Sequence, residues 1–138
     1  MRQRQTGQAD KLGIYIHIPF CRSICSFCPY CKTLYSEEAC SRYIDALIRE
    51  IHLAGSQIPG KKIVTSLYFG GGTPALAADR IKEIIDAIQE HFIITQGIGI
   101  ELHPENITPR TLHILKEAGI TKLSIGIQSF QEKFQKLL

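Results

Sequence analysis

Tyr15-Ile-His-Ile-Pro-Phe-Cys-Arg-Ser-Ile-Cys-Ser-Phe-Cys28 carries two signals in one stretch. Its first half alternates, with Ile14, Ile16 and Ile18 on one face and Tyr15 and His17 on the other, which predicts a strand over 13–19. Its second half spaces Cys21, Cys25 and Cys28 as CxxxCxxC. Three thiolates on one short loop can hold three irons of a cubane cluster and leave the fourth iron without a protein ligand. An open metal position suits chemistry, whereas a closed one usually serves structure. The Cys21-x₃-Cys25 step sets the run apart from a zinc-ribbon pair, although Cys25, Cys28 and Cys31 are themselves spaced C-x₂-C-x₂-C. The competing reading is a zinc knuckle or a chance cluster.

Working outward, strand and helix patterns alternate. A helix is predicted over 36–54, with Ser36 as N-cap, Glu37 and Glu38 at its positive end, and Tyr43, Ile44, Leu47, Ile48 and Ile51 at helical spacing; Gly55 is expected to end it. A strand follows at 63–69, then a helix over 78–92 with Ile81, Ile84, Ile85, Ile88 and Phe92 on one side. A third strand is read at 98–102, a third helix from Thr108 with Pro109 first and Gly119 past its end, and a fourth strand at 122–127. Gln131 to Leu138 reads as the start of another helix. This order predicts an α/β fold of parallel βαβ units with right-handed crossovers.

Parity within the strands adds a second message. Ile98, Ile100 and Leu102 oppose Gly99, Glu101 and His103; Leu123, Ile125 and Ile127 oppose Ser124, Gly126 and Gln128. One face suits packing against helices, while the other is small or polar. Barrels of this type normally fill their interior with branched apolar residues, so the second face is expected to surround a ligand rather than water. The strand at 63–69 does not show the pattern clearly.

Phe69-Gly-Gly-Gly-Thr-Pro74 ends the second strand on the side where barrel active sites lie. Its glycines allow close backbone approach and present N–H groups; no Gly-Lys-Ser/Thr follows, so it is not a Walker loop. The alternative is a flexible turn. Glu101 is expected to face inward near a strand end, able to bind ribose hydroxyls or an amino group, and Gln128 to close the fourth strand on the same parity. Both also fit ordinary polar loop-end positions.

Taken in order, Tyr15-Ile-His-Ile-Pro-Phe-Cys, CxxxCxFC, Phe-Gly-Gly-Gly-Thr-Pro, Glu101-Leu-His-Pro-Glu and Leu123-Ser-Ile-Gly-Ile-Gln-Ser-Phe130 resemble the radical S-adenosylmethionine family of oxygen-independent coproporphyrinogen III oxidase and its haem-chaperone relatives, over about residues 13–138. The resemblance implies the N-terminal part of an incomplete parallel (β/α) barrel with about four βα units. It implies a [4Fe–4S] cluster and S-adenosylmethionine, cleaved to a 5′-deoxyadenosyl radical by an oxidoreductase of porphyrin and haem metabolism. The partners it implies are a porphyrin-type molecule or haem and a reducing donor such as flavodoxin or ferredoxin.

Carried over residue by residue, Cys21, Cys25 and Cys28 match the cluster ligands. Tyr15, Phe27, Gly71, Gly72, Thr73, Glu101 and Gln128 match cofactor contacts, Gln128 to a second S-adenosylmethionine. Pro29-Tyr30 precedes Cys31, whereas the oxidase places its extra cysteine two residues after the third ligand. Cys31 is left with three readings: a fourth ligand, a redox thiol or an inert loop cysteine. The short N-terminus leaves room for the haem chaperone and for haem-degrading methyltransferases with a Cys-Pro-aromatic loop.

The bounds agree. The 138 residues are 44% hydrophobic with formal net charge +3, enough for one modest core and too evenly charged for a nucleic-acid surface. No run of 18 apolar residues suggests a membrane span. Five cysteines, four of them within 21–31, do not form a disulfide framework and suit the reducing cytoplasm. A polar segment is expected over 1–12 and a core over 13–138. Because a full barrel needs about 250 residues, that core is expected to be cut short on its C-terminal side and to lack activity by itself. Cys40 is expected in the core; His52, His91 and His113 are expected to be solvated, and His17 and His103 to point inward as satisfied core histidines.

Overall fold

The computed structural model describes residues 11–60 and 62–135. Most of the polar segment 1–12, and residues 136–138 of the helix expected at the end, lie outside them. The elements are β1 (Lys11–Ile18), β2 (Phe20–Cys21), β3 (Thr33–Leu34), α1 (Glu37–Gln57), β4 (Lys62–Gly71), α2 (Ala78–His91), β5 (Phe92–Ile94), β6 (Ile98–Leu102), α3 (Pro109–Glu117), β7 (Ile120–Ile125) and α4 (Glu132–Gln135). Single 3₁₀ turns, Pro74–Ala77 and Pro104–Asn106, lead from β4 and β6 towards the next helices.

The main sheet runs β1–β4–β6–β7, and every pairing is parallel. One edge of β4 is shared: β5 pairs its first residues, Lys62–Val64, and β6 pairs Leu67–Phe69. The alternation of β1 appears as expected, with Ile16 and Ile18 buried against the helices and Tyr15 exposed on the opposite face. From β4, Val64, Leu67 and Phe69 join the core, and from β6 Ile98, Ile100 and Leu102. Ile44 and Ile51 of α1, Ile81, Ile84, Ile85 and Ile88 of α2, and Leu115 of α3 close over them. Cys40 is buried on α1 as expected. Across the outer surface, Arg80 of α2 donates to Asp45 of α1 at 2.8 Å and to Glu83 in its own helix at 2.8 Å.

The unclear parity of the second strand has a local cause. Leu12 pairs with Val64 but Gly13 pairs with Ser66, so Thr65 is an extra residue that shifts the alternation by one. Its hydroxyl donates to the Leu12 carbonyl at 3.4 Å. The same device recurs in β7, where Ile98 pairs with Ile120 and Gly99 with Lys122, and extra Thr121 donates to the Ile98 carbonyl.

Several boundaries differ from expectation. α1 does not end at Gly55 but continues to Gln57, because Gly55 is buried where the His91 ring crosses; a Cβ there would lie 2.3 Å from His91 Cγ. Phe92 is not a helical residue but opens β5, buried beside β4. The fourth strand covers Ile120–Ile125 rather than 122–127, since the Thr121 bulge starts the pairing earlier and the chain leaves the sheet at Gly126. Ile127 therefore lies beyond the strand, and Gln128 does not end it; Gln128 instead takes a left-handed conformation, φ 65°. At the third helix the reading holds: Thr108 caps the Thr111 amide, Pro109 is first, and Gly119 turns at φ 95°.

Candidate functional site

The cysteine loop is pinned at its base. β2 and β3 pair in parallel, Thr33 N–H donates to the Pro19 carbonyl at 2.8 Å, and Tyr35 N–H to Cys21 at 2.9 Å. Phe20 anchors the base under α1, edge-on to Tyr43 with ring centroids 5.6 Å apart. The Tyr43 hydroxyl donates to the His17 carbonyl at 2.6 Å. At the far limb, the Lys32 ammonium donates to the Cys28 carbonyl, and Cys28 N–H to the Cys25 carbonyl at 3.3 Å.

His17 ties this loop to the inner sheet face. Its Nε2 is 3.0 Å from the Cys31 carbonyl, which can only accept, so Nε2 carries the proton. In the neutral ring Nδ1 then accepts from the Tyr15 hydroxyl, 3.1 Å away. His17 is thus the satisfied inward histidine that parity suggests. Burial, then the Glu101 carboxylate, push the Tyr15 phenol up.

The glycine loop lies directly against the cysteine loop. Gly72 N–H donates to the Ile18 carbonyl at 2.9 Å and Thr73 N–H to Phe20 at 2.7 Å. A Cβ on Gly72 would sit 2.6 Å from the Phe20 oxygen and 2.8 Å from Cys21 Sγ. Gly71 has φ 119°, and its N–H donates to Glu101 Oε2 at 3.2 Å. Glycine is required at both positions, at one by contact and at the other by backbone conformation. Burial pushes the Cys21 thiol up, while the Thr73 hydroxyl, 4.0 Å from the sulfur, acts in the other direction.

These pieces surround one cavity of about 400 Å³, within the size range of small-molecule sites. Cys21, Cys25, Cys28, Phe27, Gly71, Gly72, Thr73, Glu101 and Gln128 all line it. Tyr15 does not; it stands behind, next to Gly70 and Glu101. Cys31 is exposed and its residue is absent from the lining. His103 lines the cavity and caps Glu105 N–H.

Asn106 was not singled out in the sequence. It is 9% exposed, lines the cavity, and its side-chain oxygen has no hydrogen-bond partner among the described residues. A buried orphan acceptor is costly unless something donates to it. The N–H groups of Gly71, Gly72 and Thr73 are taken up by Glu101, Ile18 and Phe20, so the cavity offers thiols on one side, a carboxylate in the middle, and an unmet amide oxygen. That donor set fits a thiolate-bound cluster beside a ligand bearing amino and hydroxyl groups.

The chain as a whole is similar to known proteins. The Radical SAM superfamily model matches residues 15–138, and the chain belongs to that superfamily. Its cofactors are a [4Fe–4S] cluster and S-adenosylmethionine. An anaerobilin synthase of Escherichia coli O157:H7 is 39% identical over 96% of this chain and 31% of its own length. An oxygen-independent coproporphyrinogen III oxidase of Pseudomonas aeruginosa is 32% identical over 91% and 28%. The haem chaperone HemW of Bacillus subtilis is 32% identical over 86% and 32%. The solved coproporphyrinogen III oxidase (HemN) of Escherichia coli superposes with TM-score 0.81 at 32% identity, over 90% of this chain and 29% of that one. The chain thus spans under a third of these relatives' length, and its parallel sheet and helices match the corresponding part of a radical SAM fold.

Proposed function

We propose that this chain forms the cofactor-binding part of a radical S-adenosylmethionine enzyme acting on a porphyrin-type molecule, similar in kind to oxygen-independent coproporphyrinogen III oxidase. The observation that carries this reading is the packing of Gly72 onto Cys21 Sγ, which merges the cysteine and glycine loops into one cavity with Glu101. Cys21, Cys25 and Cys28 hold the cluster by their thiolates. Gly71, Gly72 and Thr73, with Glu101, receive the amino and ribose groups of the nucleoside, and Asn106 offers its orphan oxygen. Gln128 reaches the same cavity from a left-handed backbone, a conformation that costs about 1–3 kcal/mol and clusters at binding sites. Tyr15 and His17 act from behind, holding the cysteine loop through the Cys31 carbonyl.

When bound, cluster and nucleoside supply a 5′-deoxyadenosyl radical for hydrogen abstraction, and the chain supplies binding, orientation and exclusion of water. An external reductant of the flavodoxin or ferredoxin kind feeds the electron, in the cytoplasm. Among the described residues no helix is long and apolar enough to cross a membrane. The test is anaerobic turnover by the complete enzyme that contains this chain: coproporphyrinogen III with S-adenosylmethionine and dithionite should yield the product lacking two carboxyl groups, with 5′-deoxyadenosine. Failure with that substrate but not with haem would reject the oxidase assignment.

A second reading, a haem-acting methyltransferase, is favoured by the Cys28-Pro29-Tyr30 loop and by the 39% identity to a protein named for a bilin, an open-chain tetrapyrrole. Ring opening of haem under the same conditions would support it. Stable haem binding without turnover would point to the chaperone.

A further inference from the structure

We propose that His52, Glu90 and His91 form a binding site for a zinc-type divalent cation that clamps the C-terminal ends of α1 and α2. None of the three lines the cysteine cavity. They sit 38 and 39 positions apart in sequence, so no motif announces them; the helix pairing brings them together. His52 Nδ1 lies 3.0 Å from His91 Nε2 and 3.6 Å from Glu90 Oε2, and all three donor atoms fall within 4.8 Å of one another. Two imidazoles at Zn–N distances of about 2.0–2.1 Å in a tetrahedron are about 3.3–3.4 Å apart, so the observed separations need adjust by only tenths of an ångström. Two nitrogens and a carboxylate form a common three-ligand zinc set, with water completing the shell.

Two features of the chain support the cation over a plain histidine–histidine hydrogen bond. Gly55 is buried inside the last turns of α1, where glycine costs about 1 kcal/mol against alanine. That cost secures a notch for the His91 ring, which a Cβ would strike at 2.3 Å. The helix therefore gives up stability to fix this ring next to His52. His91 is the last residue of α2, so a cation bound to it meets the negative end of that helix dipole. Binding would break the hydrogen bond between the rings: the ring that donates its proton moves that proton to its other nitrogen, and His52 then coordinates through Nδ1 and His91 through Nε2.

The test must silence the loop thiolates, which also take zinc. The 138-residue chain carrying Cys21→Ser, Cys25→Ser, Cys28→Ser and Cys31→Ser is titrated with Zn²⁺ against a chromophoric chelator. One tight equivalent is expected, lost on His52→Ala or His91→Ala and weakened on Glu90→Gln. Zinc-edge X-ray absorption should show two imidazole nitrogens and only oxygen besides. No zinc uptake, or uptake unchanged in either histidine variant, overturns the site. If a histidine variant loses its helical circular dichroism, the absorption shell of the parent decides: two imidazoles and oxygen support the site, and any other shell refutes it.

Discussion

At the scale of single residues, function rests on contacts that a methyl group would break. Gly72→Ala places carbon 2.6 Å from the Phe20 oxygen and 2.8 Å from Cys21 Sγ. Both neighbours belong to the pinned base of the cysteine loop, so the loop must shift. We predict that Gly72→Ala retains its circular dichroism but holds well under half the parent's iron after anaerobic reconstitution, measured as iron per chain. Cys28→Ala should lose most of its iron, whereas Cys31→Ala should stay near the parent, because residue 31 is not part of the cavity lining. Equal loss in both would make Cys31 a fourth ligand. Asn106→Ala should weaken S-adenosylmethionine binding about fivefold, the worth of one hydrogen bond near 1 kcal/mol, as read by equilibrium dialysis; unchanged affinity would mean that its oxygen does not meet the nucleoside. The three cysteines and the glycine loop were legible because their chemistry is local. Asn106 was not, since Pro-Glu-Asn reads as an ordinary turn and only burial exposes its unmet oxygen.

At the scale of elements, periodicity revealed what was regular and missed what was bulged. β6 and α3 were legible to the residue, with Thr108, Pro109 and Gly119 each doing what its chemistry favours. β4 blurred because Thr65 slips the alternation halfway along, and β7 was misplaced because Thr121 does the same. β2, β3 and β5 have two or three residues each, too few for any period to show. In sequence Gly55 resembles a helix terminator, as glycine usually is one; its contact with His91 lies in tertiary structure. Gly55→Ala gains about 1 kcal/mol of helix propensity and loses more by overpacking, typically 1–3 kcal/mol. We predict a lower urea midpoint for Gly55→Ala than for the parent. A higher midpoint would show that the His91 ring moves aside without cost.

At the scale of the molecule, the sheet is covered on one face only along part of its width. Leu123 and Ile125 of β7 belong to the helix-facing side, yet are 47% and 43% exposed, and Phe130 is 88% exposed. β7 pairs β6 along one edge, and among the described residues no strand pairs the other. An exposed apolar strand edge recruits further chains. The 138-residue chain is expected to self-associate in sedimentation velocity, and Leu123→Lys with Ile125→Lys to raise its monomer fraction. A monodisperse parent would contradict this. The sequence predicted the parallel sheet and its polar inner face, but exposure along β7 depends on what packs there, which no periodicity records.

Cys21, Cys25 and Cys28 would together hold the cluster at a cavity that takes S-adenosylmethionine. The most direct measurement is electron paramagnetic resonance of the anaerobically reconstituted, dithionite-reduced protein, with and without S-adenosylmethionine. A reduced-cluster signal whose g-values shift when the nucleoside is added is expected, and no such signal in Cys25→Ala. A cluster signal that S-adenosylmethionine leaves unchanged would contradict it.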